Sequence, residues 1–504
     1  MAANVLDYLE AAAKRFPECP AYCDGSHTYT FSEVRRLAGA IGSGLGALGL
    51  QKRPVVVWME KGADMAAAFL GIVFGGLSYC PLDVGMPKER IEQILSSLCP
   101  AAMVASKDLL ETAAALYENC PVFSFETLCE TEENPTFLAK IRSQLGPSDC
   151  LSILYTSGST GIPKGVAGTH GAVINYLEWL ASRYTFGPED VLGNQVPLHF
   201  AAANHDLYCP LRFGCSVYFL PPEIFMFPNR LVALLNEKRV TAVLWVPFAL
   251  GMAARLRAFE KERPEFLRYV FFIGEVMPVK QLNYWRDYIP DALYVNLYGC
   301  TEAFICCFYE IRRAFSEDET LPVGGPLTNV GVCLLSEDGR LLFPENSEGR
   351  EGELCVFGAA AGGSYYGDLE GTSERFIRRT EILTEPDGAG ILYRTGDLAR
   401  FREDGELFFS GRLDEQIKHL GYRIELGEIE AAARGIEGVE NCVCVYDGKK
   451  EMILFYYEGV ERPQKEISRR LSQKLPRYML PGRYMHMERL PRNANGKVDR
   501  RRLL

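Results

Sequence analysis

From residue 55 the chain alternates short apolar runs with stretches of helical spacing, and few folds accommodate that order. A strand over 55–59, a helix to about residue 76, a strand near 78–82, a helix from Lys88 and a strand over 101–105 predict a parallel α/β sheet with helices on its faces. The alternation resumes with strands expected at 215–220, 240–246, 267–273 and 292–297. Ligands of such sheets gather at the carboxyl ends of the strands. Ahead of this region, Val5, Leu6, Leu9 and Ala12 follow Asn4 at helical spacing and Pro17 ends the run, while 21–31 reads as a hairpin bent at Asp24-Gly25. Beyond Pro322 the texture changes to short, glycine-rich strands, for example 352–357 and 406–410. A polar stretch over 411–421 precedes a compact unit of helix (426–433), strand (441–446), strand (452–457) and helix (464–474). The expectation is a large N-terminal domain of parallel α/β sheets with a β-rich subdomain, residues 1–412, hinged to a small C-terminal α+β domain, residues 413–504.

At 504 residues the chain is too long for a single core. A formal net charge of −11 argues against sequence-independent nucleic-acid binding, which needs surplus lysine and arginine. Sixteen cysteines without a CxxC pair, mostly within apolar runs, read as reduced buried thiols, and the six scattered histidines show no metal-ligand spacing. Residues 65–82 are uncharged and near the length of a membrane span. Gly71, Gly75, Gly76 and Pro81 break that stretch, which is expected to be a buried helix, a turn and a strand. A cytoplasmic protein without membrane insertion is expected.

The stretch Leu151-Ser-Ile-Leu-Tyr-Thr-Ser-Gly-Ser-Thr-Gly-Ile-Pro-Lys-Gly165 joins an apolar strand to a cluster that must be a loop. Gly158 and Gly161 let backbone N–H groups approach an anion, Thr156, Ser157, Ser159 and Thr160 add hydroxyl donors, and Lys164 adds a point charge. That chemistry suits a polyphosphate. The loop is not the P-loop of ATPases and GTPases, because Gly165 rather than Ser or Thr follows the lysine. A flexible Ser/Gly linker is the bland alternative, against which stand Pro163, Lys164 and the preceding strand.

Further stretches, taken in order, resemble the adenylate-forming ligases, the superfamily of acyl-CoA synthetases and nonribosomal peptide synthetase adenylation domains. They are Asn296-Leu-Tyr-Gly-Cys-Thr-Glu302, Tyr393-Arg-Thr-Gly-Asp397, Gly411-Arg-Leu-Asp-Glu-Gln-Ile-Lys418, Gly421-Tyr-Arg-Ile-Glu-Leu-Gly-Glu-Ile-Glu430 and Pro491-Arg-Asn-Ala-Asn-Gly-Lys-Val-Asp499. The resemblance implies ATP and Mg2+ as cofactors. It places Tyr298 against adenine, Thr301 on phosphate, Glu302 on the metal, Asp397 on the ribose hydroxyls and Arg412 on the nucleotide. Asp414 is implied as the hinge, and Lys497 as the catalytic lysine. Gly274 and Glu275, with Asn296, Leu297 and Gly299, are implied to border the nucleotide. The sequence departs from the family's habit at Cys300, where proline is common, and at Leu420, where a basic residue is common.

Length, the stretch Phe272-Ile-Gly-Glu-Val-Met-Pro278 and the position of Lys497 resemble stand-alone D-alanine:carrier-protein ligases. The implied activity is formation of an acyl-AMP with release of pyrophosphate, then transfer to the phosphopantetheine thiol of a separate carrier protein. An aryl-acid or acyl-CoA ligase, and a non-catalytic nucleotide-binding relative, are the alternatives. Amino-acid-activating relatives have Phe-Asp where this chain has Phe200-Ala201. A buried α-ammonium without that carboxylate is costly, so either another group such as Asp206 supplies the charge or the substrate lacks the amine. The expected pocket walls are Phe200, Ala201, Ala202, His205, Trp245, Ile273, Leu297 and Ile305.

Overall fold

The computed structural model describes residues 2–158, 161–378, 390–492 and 498–503. A seven-stranded sheet runs in the order Ser364–Tyr365, Lys164–Thr169, Cys150–Thr156, Ser78–Pro81, Pro54–Trp58, Ala102–Ala105, Val122–Ser124. A nine-stranded sheet runs from Gly325–Pro326 through Phe304–Glu310, Leu293–Cys300, Tyr269–Phe272, Ala242–Trp245, Val191–Asn194 and Ser216–Phe219 to the hairpin Pro20–Cys23/Thr28–Thr30. Strand pairing is parallel through the middle of both sheets and antiparallel at both edges of the nine-stranded sheet and at the Ser364–Tyr365 edge of the seven-stranded one, whose other edge, Val122–Ser124, is parallel.

The apolar runs are continuous because these strands are covered on both faces. Val55 and Val57 join the largest core cluster while Val56 and Trp58 turn to another. Ala242 and Leu244 face that same large core, and Val243 and Trp245 face away from it. Side chains alternate across a strand, so each run feeds two cores. Helices Leu6–Arg15, Phe31–Gly46, Ala63–Phe74, His170–Arg183 and Asn204–Phe213 contribute to the core between the two sheets. Thr30 and Glu33 close a reciprocal capping box at the start of Phe31–Gly46. Asn4 accepts from Leu6 N and donates to Leu145 O, while Val5 is the residue at the N-cap of Leu6–Arg15. The membrane-length stretch divides into the helix Ala63–Phe74, a turn and the strand Ser78–Pro81. Among the described residues no helix is long and apolar enough to cross a membrane.

A third, antiparallel sheet holds Val330–Leu335, Glu351–Gly358, Ile391–Phe401 and Leu407–Arg412. The 11-residue strand Ile391–Phe401 carries Asp397, for which no strand was expected from sequence. After Arg412 come a two-stranded hairpin, Gln416–His419/Tyr422–Glu425, and a three-stranded sheet packed by helices Leu426–Ala433 and Gln464–Ser472 around its own cluster. The hairpin turn is Leu420-Gly421, both at positive φ (55° and 84°), the backbone a two-residue turn of that hand demands.

Candidate functional site

One cleft lies where the two large sheets, the β-rich sheet and the hairpin 416–425 meet. Its wall includes Thr156 and Ser157 at the end of the strand Cys150–Thr156, and Thr301 in the tight turn between Leu293–Cys300 and Phe304–Glu310. Both turns depend on glycine: a Cβ on Gly158 would stand 1.9 Å from Ile162 O, and one on Gly299 1.7 Å from Phe304 O. The loop after Thr156 closes an antiparallel pair with Lys164–Thr169, so Lys164 opens a strand and lies directly across from Thr156.

The expected nucleotide residues divide between this cleft and a recess beside it. Thr156, Ser157, Gly274, Gly299, Thr301, Asp397 and Arg412 line the cleft. Gly274, Glu275, Asn296, Leu297, Tyr298 and Gly299 line the recess, with Phe409 and Lys418. Ser159, Thr160 and Lys497 lie outside the described residues. Asp397 is buried, accepts from the Tyr298 hydroxyl and pairs with Arg412, whose guanidinium also makes two bonds, 2.6 and 2.8 Å, to Asp414. Lys418 Nζ stands 5.7 Å over the Tyr298 ring.

Glu302 is only 3% exposed, and its two oxygens have different partners. Oε1 accepts from the Tyr365 hydroxyl at 3.0 Å, and Oε2 from Arg423 at 2.6 Å. Burial works to raise this carboxyl, and the Arg423 charge together with the hydrogen bonds outweighs it, holding the group below its ordinary range. Arg423 belongs to the hairpin, which several other bonds seat in the cleft. Ser157 Oγ donates to Arg423 O at 3.0 Å and accepts from Glu425 N at 3.2 Å, and Gly421 N donates to Glu275 Oε1 at 2.8 Å. Tyr422 meets Phe200 edge-on and stacks on Tyr478 at 3.7 Å.

Phe200, Ala201, Ala202, Ile273 and Ile305 form an apolar wall of the cleft. Three expected members of that wall are elsewhere. Trp245 is fully buried on the opposite face of its strand, donates to Gly193 O at 2.7 Å and packs edge-on against Trp285; the residue after that strand, Val246, lines the cleft instead. His205 is fully buried in hydrogen-bond contact with Tyr176, its pKa pushed down by burial to about 3. Leu297 faces the nucleotide-side recess. Asp206 is also buried, its Oδ2 accepting from Asn194 at 2.7 Å. The residues that sequence reasoning left without a role are Tyr365, Tyr422 and Arg423. The last two stood within a family motif, and their alternation with Ile424 was the available sign of a strand.

Comparison with known proteins bears on the family and the fold. The family described as AMP-binding enzyme matches residues 9–366. An L-proline--[L-prolyl-carrier protein] ligase of Streptomyces coelicolor is 33% identical over 96% of this chain and 93% of its own length. Tyrocidine synthase 1 of Brevibacillus parabrevis is 28% identical over 99% of this chain, which spans 45% of that larger protein. Among solved structures, the Vibrio cholerae adenylation domain AlmE in complex with glycyl-adenosine-5'-phosphate superposes with a TM-score of 0.86 at 23% identity, covering 100% of this chain and 97% of its own.

Proposed function

Because the chain belongs to the AMP-binding enzyme family, we propose that it is an ATP-dependent acid–thiol ligase that joins a carboxylic acid, an amino acid or close analogue, to AMP and then loads the acyl group onto the phosphopantetheine thiol of a carrier protein. The observation that carries the reading is the convergence of Thr156, Ser157, Thr301, Asp397 and Arg412 on one cleft with Glu302 buried beside it. A free carboxylate resists thiol attack because oxide is a poor leaving group. Its oxygen therefore first attacks the α-phosphorus of ATP; a P–O bond forms, the bond to the bridging oxygen breaks, and pyrophosphate leaves with the electron pair. Donors of the loop 156–164, with Lys164 and Thr301, meet the phosphate charge, and Asp397 accepts the ribose hydroxyls once Arg412 yields part of its hold.

Glu302 fits a Mg2+ site: it is a buried carboxylate kept charged, and its Oε2 already faces a cation of the protein's own. When bound there, the ion supplies charge neutralisation of the departing pyrophosphate. Lys497 is proposed as the lysine of this first step. Residues 413–504 are proposed to turn as a unit about Asp414, exchanging Lys497 for the hairpin 416–425 before the thiol attacks the mixed anhydride.

The acid sits against Phe200, Ala201, Ala202, Ile273 and Ile305. Among the described residues the carboxylates lining the cleft are Asp83 and Asp397, and Asp397 is already taken by Tyr298 and Arg412. The wall of Phe200, Ala201, Ala202, Ile273 and Ile305 itself carries no carboxylate and so favours an acid without a free α-ammonium, with Asp83 the remaining carboxylate of the cleft. ATP–pyrophosphate exchange with matched pairs (proline and cyclopentanecarboxylate, alanine and propionate, phenylalanine and phenylpropionate) tests both levels. Exchange with none of a broad acid panel overturns the ligase reading. Preference for the amino member of each pair overturns the pocket argument alone. Offering loaded enzyme a phosphopantetheinylated carrier and free CoA in parallel decides the acceptor, with transfer to the carrier expected.

A further inference from the structure

Tyr365 touches two charged groups of the cleft at once and has no place in the scheme so far. Its hydroxyl donates to Glu302 Oε1 at 3.0 Å, while Lys164 Nζ stands 5.2 Å over the face of its ring. Its backbone is tied to the same machinery. Ser364–Tyr365 pairs with Lys164–Thr169, Tyr365 opposite Val166, and Tyr366 N donates to Gly165 O at 2.7 Å. Preceding it, the chain threads a narrow gap, since a Cβ on Gly363 would stand 3.0 Å from Ala167 O and 3.1 Å from Glu302 O. The ring is held from behind by the edge of Phe376 at 5.6 Å, and the backbone N–H by Thr372 Oγ1 at 3.0 Å. Tyr365 is thus a rigid strut between the strand that leaves the phosphate loop and the carboxylate at the head of the other large sheet.

The two oxygens of Glu302 make the consequence specific. Tyr365 holds Oε1 from elements of residues 1–412, whereas Oε2 accepts from Arg423 of the hairpin. A carboxylate pinned at one oxygen presents the other in a fixed direction. We propose that Tyr365 is a positioning residue for the ligase reaction, orienting Glu302 so that Oε2 is kept for a divalent cation and fixing the spacing between that cation and Lys164 across the pyrophosphate. This rests on the ligase reading given above. A bond that merely satisfied a buried carboxylate would need neither the Lys164 contact nor the pairing with the loop's return strand.

The test is Tyr365→Phe in the full chain, which keeps the ring and its contact with Lys164 and removes the hydroxyl. Mn2+ affinity is measured by electron paramagnetic resonance in the presence of a non-hydrolysable ATP analogue. Expected are roughly tenfold weaker Mn2+ binding, the worth of one hydrogen bond to a charged group, and an equal rise in the Mg2+ concentration that half-saturates pyrophosphate exchange, with the KM for the acid unmoved. In a Glu302→Gln background the same substitution should add nothing to the loss of Mn2+ binding. Unchanged Mn2+ affinity in Tyr365→Phe, or an undiminished effect in the Glu302→Gln background, overturns the proposal while the ligase reading stands. A wild-type protein that shows neither Mn2+ binding nor exchange overturns both. Tyr365→Leu guards against misfolding: a Mn2+ loss that tracks a fall in melting temperature across the two variants would mark the residue as structural and sink the proposal.

Discussion

Two buried carboxylates flank the cleft, Asp397 and Glu302, and each is covered by an arginine, but the arginines have different origins. Asp397 and Arg412 are Cα partners on adjacent antiparallel strands, so the register of one sheet sets their pairing. Glu302 and Arg423 are separated by 121 residues, and their pair exists because the hairpin 416–425 is seated in the cleft. The first is a property of the sheet. The second reports where the residues after Arg412 stand. Under the proposed function, the same arginine–carboxylate chemistry serves a fixed ligand site in one case and an exchangeable one in the other.

The largest effect is expected from breaking the exchangeable pair. Arg423→Met leaves Glu302 buried and unpaired whenever the hairpin docks, a penalty of about 3–5 kcal/mol on that arrangement. Transfer of a preformed acyl-adenylate to the carrier should fall by roughly a hundredfold or more, while pyrophosphate exchange persists and needs less Mg2+, because the competing guanidinium is gone. Measuring the two half-reactions separately checks this; equal losses in both would mean that Arg423 serves the first step as well and that the pair is not exchanged.

Breaking the fixed pair should do less, and to a different quantity. Asp397→Asn keeps a side chain that can accept one hydrogen bond but removes the charged acceptor proposed for the ribose, worth roughly 1.5–3 kcal/mol. The KM for ATP should rise by about tenfold or more, with the thiol-transfer half-reaction unaltered. An ATP requirement that does not move would relocate the ribose contact and make Asp397 a structural partner of Arg412 and Tyr298.

The contrast also explains what sequence could and could not reveal. Strands such as Pro54–Trp58 and Ala242–Trp245 are buried on both faces and write continuous apolar runs, so they were legible to within a residue or two at each end, whereas the short strands Val122–Ser124 and Val191–Asn194 were missed and Leu293–Cys300 runs on past its expected end. The strand carrying Asp397 mixes Arg394, Thr395, Gly396 and Asp397 among its apolar positions because one side of it borders the cleft, and its extended form was hidden. The hairpin left only a faint sign for the same reason: Lys418, Tyr422 and Arg423 line the cleft rather than a core. Motif positions located the neighbourhood of the acid pocket but not side-chain direction. A residue of a strand can point to either side, and Trp245 points to the core.

Asp206 sharpens the comparison from the other side, as a buried carboxylate with no arginine. It is fully buried at the start of Asn204–Phe213, accepts one hydrogen bond from Asn194, and its Oδ1 has no partner among the described residues. Burial pushes its carboxyl up to about 7, against the pull of the Asn194 hydrogen bond and the charge of Lys61. An arginine holds Glu302 below the ordinary range; without one, burial wins. The sign of the consequence follows from proton counts. Between the unfolded value of about 3.9 and the folded value of about 7, the folded protein binds the extra proton. This contribution to stability is fully present below about pH 4 and is lost, at about 1.4 kcal/mol per pH unit, as pH rises toward 7, levelling off above it. Asp206→Asn keeps an acceptor for Asn194 and cannot ionise. Urea midpoints at pH 5, 6, 7 and 8 should therefore show the variant gaining on wild type through pH 7 and then running parallel to it. The effect on catalysis should be the smallest of the three, because Asp206 stands behind the pocket wall. Parallel curves across the whole range would mean that Asp206 is ionised in the fold and that Lys61 does for it what arginine does for Glu302. Asp206 would then become the carboxylate to test for pairing with a substrate ammonium, and the preference for acids lacking that group would lose its basis.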